Sequence, residues 1–307
     1  AVRLENLPES SRWYPGAGLY RNVHLIITED AYIPVWGTYI TTPSVNEKFA
    51  KVNVRTKVVL PEGADPAKYS VETSVWNPNK QKLTAVRTSL AQMKYNNNQA
   101  EQEFVIQAPS LWSPEMPALY SAETRLYEGD KLKDIYTTPF GIRSIEIIPD
   151  KGFFLNGKRT VFKGVCNHHD LGPLGAAVND AAIRRQIRIL KDMGCNAIRT
   201  SHNMPAPELI RACDEMGMMI MAESFDEWNV AKCKNGYNLL FDEWAEKDLV
   251  NLLHNFRNNP SVVMWCIGNE VPNQWNEGDC KIAKWLQDIC HREDPTRPVT
   301  QGMDAPD

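Results

Sequence analysis

The sequence predicts a multidomain β plus α/β fold: an immunoglobulin-like β-sandwich followed by a truncated (β/α)8 TIM barrel. Three observations carry this. Up to about residue 140, short segments alternate apolar and polar residues or are rich in β-branched ones. Beyond Gly141, strand and helix patterns alternate four times. Histidines and carboxylates then fall at the C-terminal ends of those later strands, the face on which a barrel builds its site.

The β elements read in order as Val23–Thr28, Lys51–Leu60, Tyr69–Trp76, Glu101–Gln107 and Tyr120–Glu128. Turn-forming segments such as LPEGADP, NPNKQK and EGDK lie between them. Residues 31–142 are therefore expected to form the sandwich and residues 143–307 the N-terminal half of a barrel. The opening 30 residues read as the last one or two strands of something before the sandwich.

In the second half, Arg159–Val165 reads as the first strand. Asn179 caps a helix in which Ile183, Ile187 and Leu190 share a face, and Gly194 stops it. Asn196–Thr200 is the second strand, and Pro207–Gly217 is a helix with Pro in its first turn and Gly at its end. Met218–Phe225 is the third strand and 240–255 the third helix. Ser261–Asn269 is a nearly all-apolar fourth strand, as burial on both faces demands. Lys281–Glu293 is the fourth helix, and Pro298–Gly302 begins a fifth strand. A doubly wound sheet competes with a barrel here. The phosphate-binding glycine pattern it would need after Val165 is absent, where the chain reads CNHHDLGPLG.

Composition excludes several classes. A length of 307 residues suggests two domains, and the net charge of −4 advertises no nucleic-acid partner. No apolar run approaches the ~18–20 residues of a membrane helix, so no membrane partner is expected. The seven cysteines are odd in number, lie after residue 160 and include no C-x-x-C pair, so neither a disulfide framework nor a zinc site is expected. They lean toward a reducing compartment, but localisation stays open between cytoplasmic and periplasmic or secreted.

The strand ends carry the chemistry. Strand one ends in Cys166-Asn167-His168-His169-Asp170 and strand two in Arg199-Thr200-Ser201-His202-Asn203. Strand three ends in Glu223-Ser224-Phe225-Asp226-Glu227-Trp228 and strand four in Asn269-Glu270. Glu270 follows an apolar strand directly. It is expected to be partly desolvated, with a raised pKa suited to a general acid. Asn269 is placed to bind a substrate hydroxyl. His168 and His202 read as neutral hydrogen-bonding groups in preference to metal ligands. Arg199 could pair with a catalytic carboxylate or form a structural ion pair. Glu223, Asp226 and Glu227 form the most acidic spot, without the further ligands that would define a metal site.

The segment Arg257–Glu270, RNNPSVVMWCIGNE, resembles the acid/base signature of glycoside hydrolase family 2, the family of β-galactosidases, β-glucuronidases and β-mannosidases. Asn196–His202 resembles its second signature, and Gly164–Asp170 the first-strand motif of β-galactosidase-like members. Ser10–Val23, Leu111–Tyr120 and Phe140–Ile147 are similar to its jelly-roll end, its immunoglobulin-like domain and the barrel entry. The resemblance implies residues 1–30 as the C-terminal strands of a jelly-roll sugar-binding domain. It implies a retaining exo-glycosidase acting on terminal β-D-galactosyl residues, with Glu270 as acid/base catalyst. Asn269 would bind the sugar 2-hydroxyl, His168 and His202 sugar hydroxyls, and Arg199 would orient the nucleophile. The family's nucleophile is a glutamate at the end of strand seven. The chain stops at strand five, so that residue is expected to be missing and the chain alone inactive. Glu227 matches one ligand of a family magnesium site, but Asn229 stands two residues later, so no cofactor is firmly expected. Phe256 departs from the usual pattern before the acid/base segment. A β-glucuronidase, another β-glycosidase or a non-catalytic carbohydrate-binding fragment are the alternatives. The expected partner is a β-galactoside, and a homo-oligomer is left open.

Overall fold

The computed structural model describes residues 1–16, 18–92, 99–271 and 277–304. Contacts divide the chain into two units. One is His24–Thr160 with Arg257–Pro260; the other is Ala1–Val23, Val161–Phe256 and the residues from Ser261 on.

The first unit contains β1 (Thr38–Val45), β2 (Phe49–Lys57), β3 (Tyr69–Trp76), β4 (Lys82–Ser89), β5 (Gln99–Gln107), β6 (Tyr120–Glu128) and β7 (Lys131–Phe140). A short sheet follows, of β8 (Ile145–Ile148), β9 (Gly152–Leu155) and β10 (Lys158–Arg159). The seven long strands form antiparallel sheets ordered β1-β2-β5 and β4-β3-β6-β7, which is an immunoglobulin-like sandwich. Strict alternation in β5 and β6 sends every second residue inward. Val52, Val54, Val75, Phe104, Ile106 and Phe140 meet there in one core. Two hydroxyl pairs join buried polar positions: Thr38 with Thr138 at 2.6 Å and Thr73 with Thr124 at 3.2 Å.

Three of the seven sandwich strands escaped the sequence pattern, and all three are sheet edges. β1 carries Pro43 within a register irregularity between Thr41 and Ser44, where the ladder loses no donor. β4 is mostly exposed and so has little inward face to mark it, and β7 alternates only near its end. Val23–Thr28, expected as a strand, pairs with none among the described residues. Val23, Leu25 and Ile27 there are each about four-fifths exposed.

Arg257–Pro260 is stitched to this unit. The Asn258 side chain accepts from Ile40 N (2.8 Å) and donates to the Thr38 carbonyl (2.9 Å). Arg143 Nε donates to the Pro260 carbonyl at 2.6 Å. Gly141 is required for the close approach, since a Cβ there would lie 2.5 Å from Pro260.

The second unit alternates β11 (Gly164–Asn167), α1 (Asp180–Asp192), β12 (Ala197–Thr200), α2 (Pro207–Met216), β13 (Met219–Glu223), α3 (Phe241–Phe256), β14 (Val262–Cys266), α4 (Glu277–Glu293) and β15 (Val299–Thr300). Its five strands are parallel and lie in chain order, β11-β12-β13-β14-β15. A doubly wound sheet reverses its strand order partway, so the unreversed order belongs to a barrel. The first strand lies later than the expected Arg159–Val165. Arg159 is taken by the β9–β10 hairpin, and only Gly164–Asn167 pairs with β12.

The caps follow the sequence. Asn179 accepts from Ala182 N at the start of α1, and Gly217 closes α2 in the left-handed region at φ 72°. Ile183, Ile187 and Leu190 of α1 pack into one core with Ile198, Ile220, Val262, Trp265 and the buried face of α3. Phe256 is part of that core at 1% exposure, which accounts for an apolar residue ahead of Arg257. No described helix is long and apolar enough to cross a membrane.

Ile187 is fully buried, so Ile187→Ala leaves a cavity and should cost about 2–5 kcal/mol. Urea unfolding followed by tryptophan fluorescence measures it; a cost within about 0.5 kcal/mol would mean that α1 is not packed on the sheet.

Candidate functional site

Glu223, the last residue of β13, is the innermost charge of the rim and has no solvent exposure. A buried carboxylate is tolerated only when paired. Arg199 from β12 reaches it with two nitrogens, Nε and Nη2, the second at 3.1 Å. His202 Nδ1 bonds the same carboxylate at 2.8 Å. That bond fixes Nδ1 as the donor and leaves Nε2 for another partner. Burial works against the Arg199 charge, but the Glu223 bond and charge prevail, and its pKa stands above the usual guanidinium value.

The network runs outward from there. Arg199 Nη2 donates to Asn269 Oδ1 (2.9 Å), and Asn269 Nδ2 donates to Asp226 Oδ1 (2.9 Å). Asn269 is 3% exposed, so these two bonds set its amide plane. Lys232 Nζ donates to the Asp226 carbonyl (2.6 Å), the Asn269 carbonyl (2.5 Å) and Asp226 Oδ1 (3.3 Å). Burial pushes the Asp226 carboxyl up, but the bonds from Arg12 and Asn269 and the Lys232 charge outweigh it, leaving its pKa below the ordinary value.

Arg12 completes the chain from the other end of the sequence. Its Nη2 bonds Asp226 Oδ1 and its Nη1 bonds Glu270 Oε2, each at 2.8 Å. The opening segment that carries it is held against the same unit. Arg21 donates to the Met204 and Pro205 carbonyls, Asn22 to Glu208, and His169 to the Pro15 carbonyl. Trp13 follows Arg12. Its ring lies 4.7 Å from that of His168 and 5.8 Å from that of His202, and the two histidines are 5.2 Å apart, edge to face. Burial, then the neighbouring histidines, lower the pKa of His168 and keep it neutral.

The residues singled out in the sequence therefore converge: His168, Arg199, His202, Asn269 and Glu270 all sit on one rim. The expected environment of Glu270 is corrected. Its side chain is 53% exposed, and the Arg12 guanidinium holds its carboxyl below the ordinary range instead of desolvation raising it. Its backbone is in the left-handed region at φ 42°, which only a minority of non-glycine residues adopt. Arg199, expected beside a nucleophile, is engaged with Glu223. Arg12, Trp13 and Lys232 were missed by sequence reasoning: no motif marks Lys232, and Arg12 and Trp13 fall in the Ser10–Val23 segment, which was read only as the end of a preceding domain.

Glu227 is 4% exposed and its oxygens are used by its own loop. Oε2 accepts from Lys232 N (2.7 Å) and Oε1 from Asn238 N (2.9 Å). Gly236 lies so close that a Cβ there would be 2.0 Å from Oε1. Among the described residues no group of three His, Cys, Asp or Glu could hold a metal ion. A cavity of about 380 Å³ opens beside Asp226, lined by Trp13, His202, Phe225 and Tyr237 among others.

The model described as "Glycosyl hydrolases family 2, TIM barrel domain" matches residues 146–306, and "Glycosyl hydrolases family 2" matches residues 32–143. A β-galactosidase of Bacteroides ovatus is 40% identical over all of this chain, which spans 40% of that protein. A putative β-glucuronidase of Formosa agariphila is 34% identical over all of the chain, which spans 28% of it. A solved family 2 member from Bacteroides cellulosilyticus has a TM-score of 0.89 at 37% identity, covering 96% of this chain and 38% of its own. The sandwich strands and the barrel strands fall within the residues that these two family models match. The chain belongs to glycosyl hydrolase family 2.

Asp226 gives a pH test. Its folded pKa lies below the unfolded value of about 3.9, so its stabilisation is full above that pH and is lost as pH falls through the folded pKa. Asp226→Asn should cost about 1.5–3 kcal/mol at neutral pH. Thermal melts of both proteins should show that deficit shrinking on acidification; a deficit that does not change with pH would contradict an ionised Asp226.

Proposed function

We propose that the protein containing these residues is a retaining exo-glycosidase that removes terminal non-reducing β-D-galactosyl residues. The observation that carries the reading is Glu270 with Asn269, in the loop that follows the buried strand β14, on the rim that His168, His202 and Arg199 share. Glu270 is the acid/base catalyst. As acid it protonates the leaving oxygen; as base it takes a proton from water in the second step. The nucleophile is a second glutamate outside this sequence, about 5–5.5 Å across the scissile bond as the retaining geometry requires. Glu223 is not suited to that role, since Arg199 and His202 occupy it in a buried position.

Asn269 and His202 bind sugar hydroxyls. Asn269 keeps a second amide proton and a second lone pair beyond its two bonds, and His202 presents Nε2. His168, neutral beside Trp13, adds a third polar group. Arg199 holds Asn269 and Glu223 in place. By resemblance residues 1–30 correspond to the end of a jelly-roll domain, although none of the described ones forms a strand here. The galactose preference is supported by the Gly164–Asp170 segment and by the Bacteroides ovatus relative. A β-glucuronidase is the second reading, supported by the Formosa agariphila relative.

The full-length protein should hydrolyse nitrophenyl β-galactoside in preference to the β-glucuronide and β-mannoside; a strong preference for either of the latter would overturn the galactose assignment. Glu270→Gln should lower kcat/KM on glycosides with poor leaving groups by about 10²–10⁴. A variant that retained its rate on such substrates would remove Glu270 from the catalytic role.

A further inference from the structure

Glu270 stands on a backbone in the left-handed region, and among the described residues one guanidinium meets its carboxylate. Arg12 spends Nη1 on Glu270 and Nη2 on Asp226, both at 2.8 Å. Asp226 is a firm anchor. Its side chain is 12% exposed and is also held by Asn269 Nδ2 and Lys232 Nζ. The position of Asp226 is thus passed through Arg12 to Glu270.

Among the described residues, the charged groups around Glu270 come from three places. Arg12 comes from the opening segment, Asp226 and Lys232 from the loop after β13, and the Arg199–Glu223 pair lies further in. Arg12 and Lys232 favour the ionised form and Asp226 opposes it, with the ionised form prevailing. An ionised Glu270 is wrong for protonating a leaving group and right for activating water.

We propose that Arg12 is a positioning residue for the second half of the reaction: it ties Glu270 to Asp226 and keeps it as the carboxylate that activates water. The inference rests on the acid/base role proposed above for Glu270. In the step it serves, the water oxygen bonds to the anomeric carbon and the bond from that carbon to the enzyme nucleophile breaks. The nucleophile leaves as a carboxylate, and the water proton passes to Glu270. In the first step the incoming aglycone takes the place of Arg12 beside Glu270, freeing it to carry the proton.

The test uses Arg12→Met and Arg12→Lys in the full-length protein with a dinitrophenyl β-galactoside, whose leaving group needs no acid. Arg12→Met should keep the initial burst of dinitrophenol but lower the steady-state kcat by about tenfold to a hundredfold. The acid limb of kcat against pH should move to higher pH, because without Arg12 the base protonates more readily. Azide, which attacks without a base, should restore turnover and give the glycosyl azide, and Arg12→Lys should recover part of the loss. A lost burst with no azide rescue, or an unmoved acid limb, would overturn the proposal and leave Arg12 a structural residue. Glu270→Gln is run beside it. If that variant keeps its rate on poor leaving groups, the Glu270 reading itself fails. If it loses that rate while Arg12→Met leaves the limb unmoved, only the inference about Arg12 falls.

Discussion

The rim depends on one buried charge. Glu223 ends a central strand with no solvent contact, and such a carboxylate must gather its own counter-charges. It draws Arg199 across from β12 and fixes the tautomer of His202. Arg199 then orients the Asn269 amide, and that amide orients Asp226. Each polar group is held by the previous one, so a side chain at the surface inherits precision from the barrel interior. Such second-tier support separates a placed catalytic group from a merely nearby one.

Much of this was legible in the sequence because it depends on local rules. Asn179 and Gly217 mark the ends of α1 and α2 through single-residue chemistry, and both caps form. The near-continuous apolar run before Asn269 announces a strand buried on both faces. What escaped depends on neighbours. β1, β4 and β7 are edges, where one side of the ladder and much of the face meet water, so the alternation that reveals a strand is diluted. Val23–Thr28 shows the converse: it has strand composition, but no partner strand among the described residues.

The environment of Glu270 was the least legible feature of the site. Its position after β14 was readable, but its exposure and charge state were not. Arg12, the group that decides them, lies 258 residues earlier and has no periodicity of its own. Glu227 makes a related point. A carboxylate at a strand end resembles a ligand in sequence, yet here it accepts two amide bonds and shapes the loop that delivers Lys232. Only the fold distinguishes a carboxylate that holds chain from one that faces substrate.

The linked side chains alternate in sign: Glu223, Arg199, then through Asn269 to Asp226 with Lys232, and on through Arg12 to Glu270. Three carboxylates against three cations leave this string without net charge. Its fields largely cancel beyond a few ångströms, so these six groups together add little long-range pull on a charged molecule approaching the rim. What these groups contribute is therefore made at hydrogen-bond range, and any dependence of association on ionic strength has to come from charges outside the string.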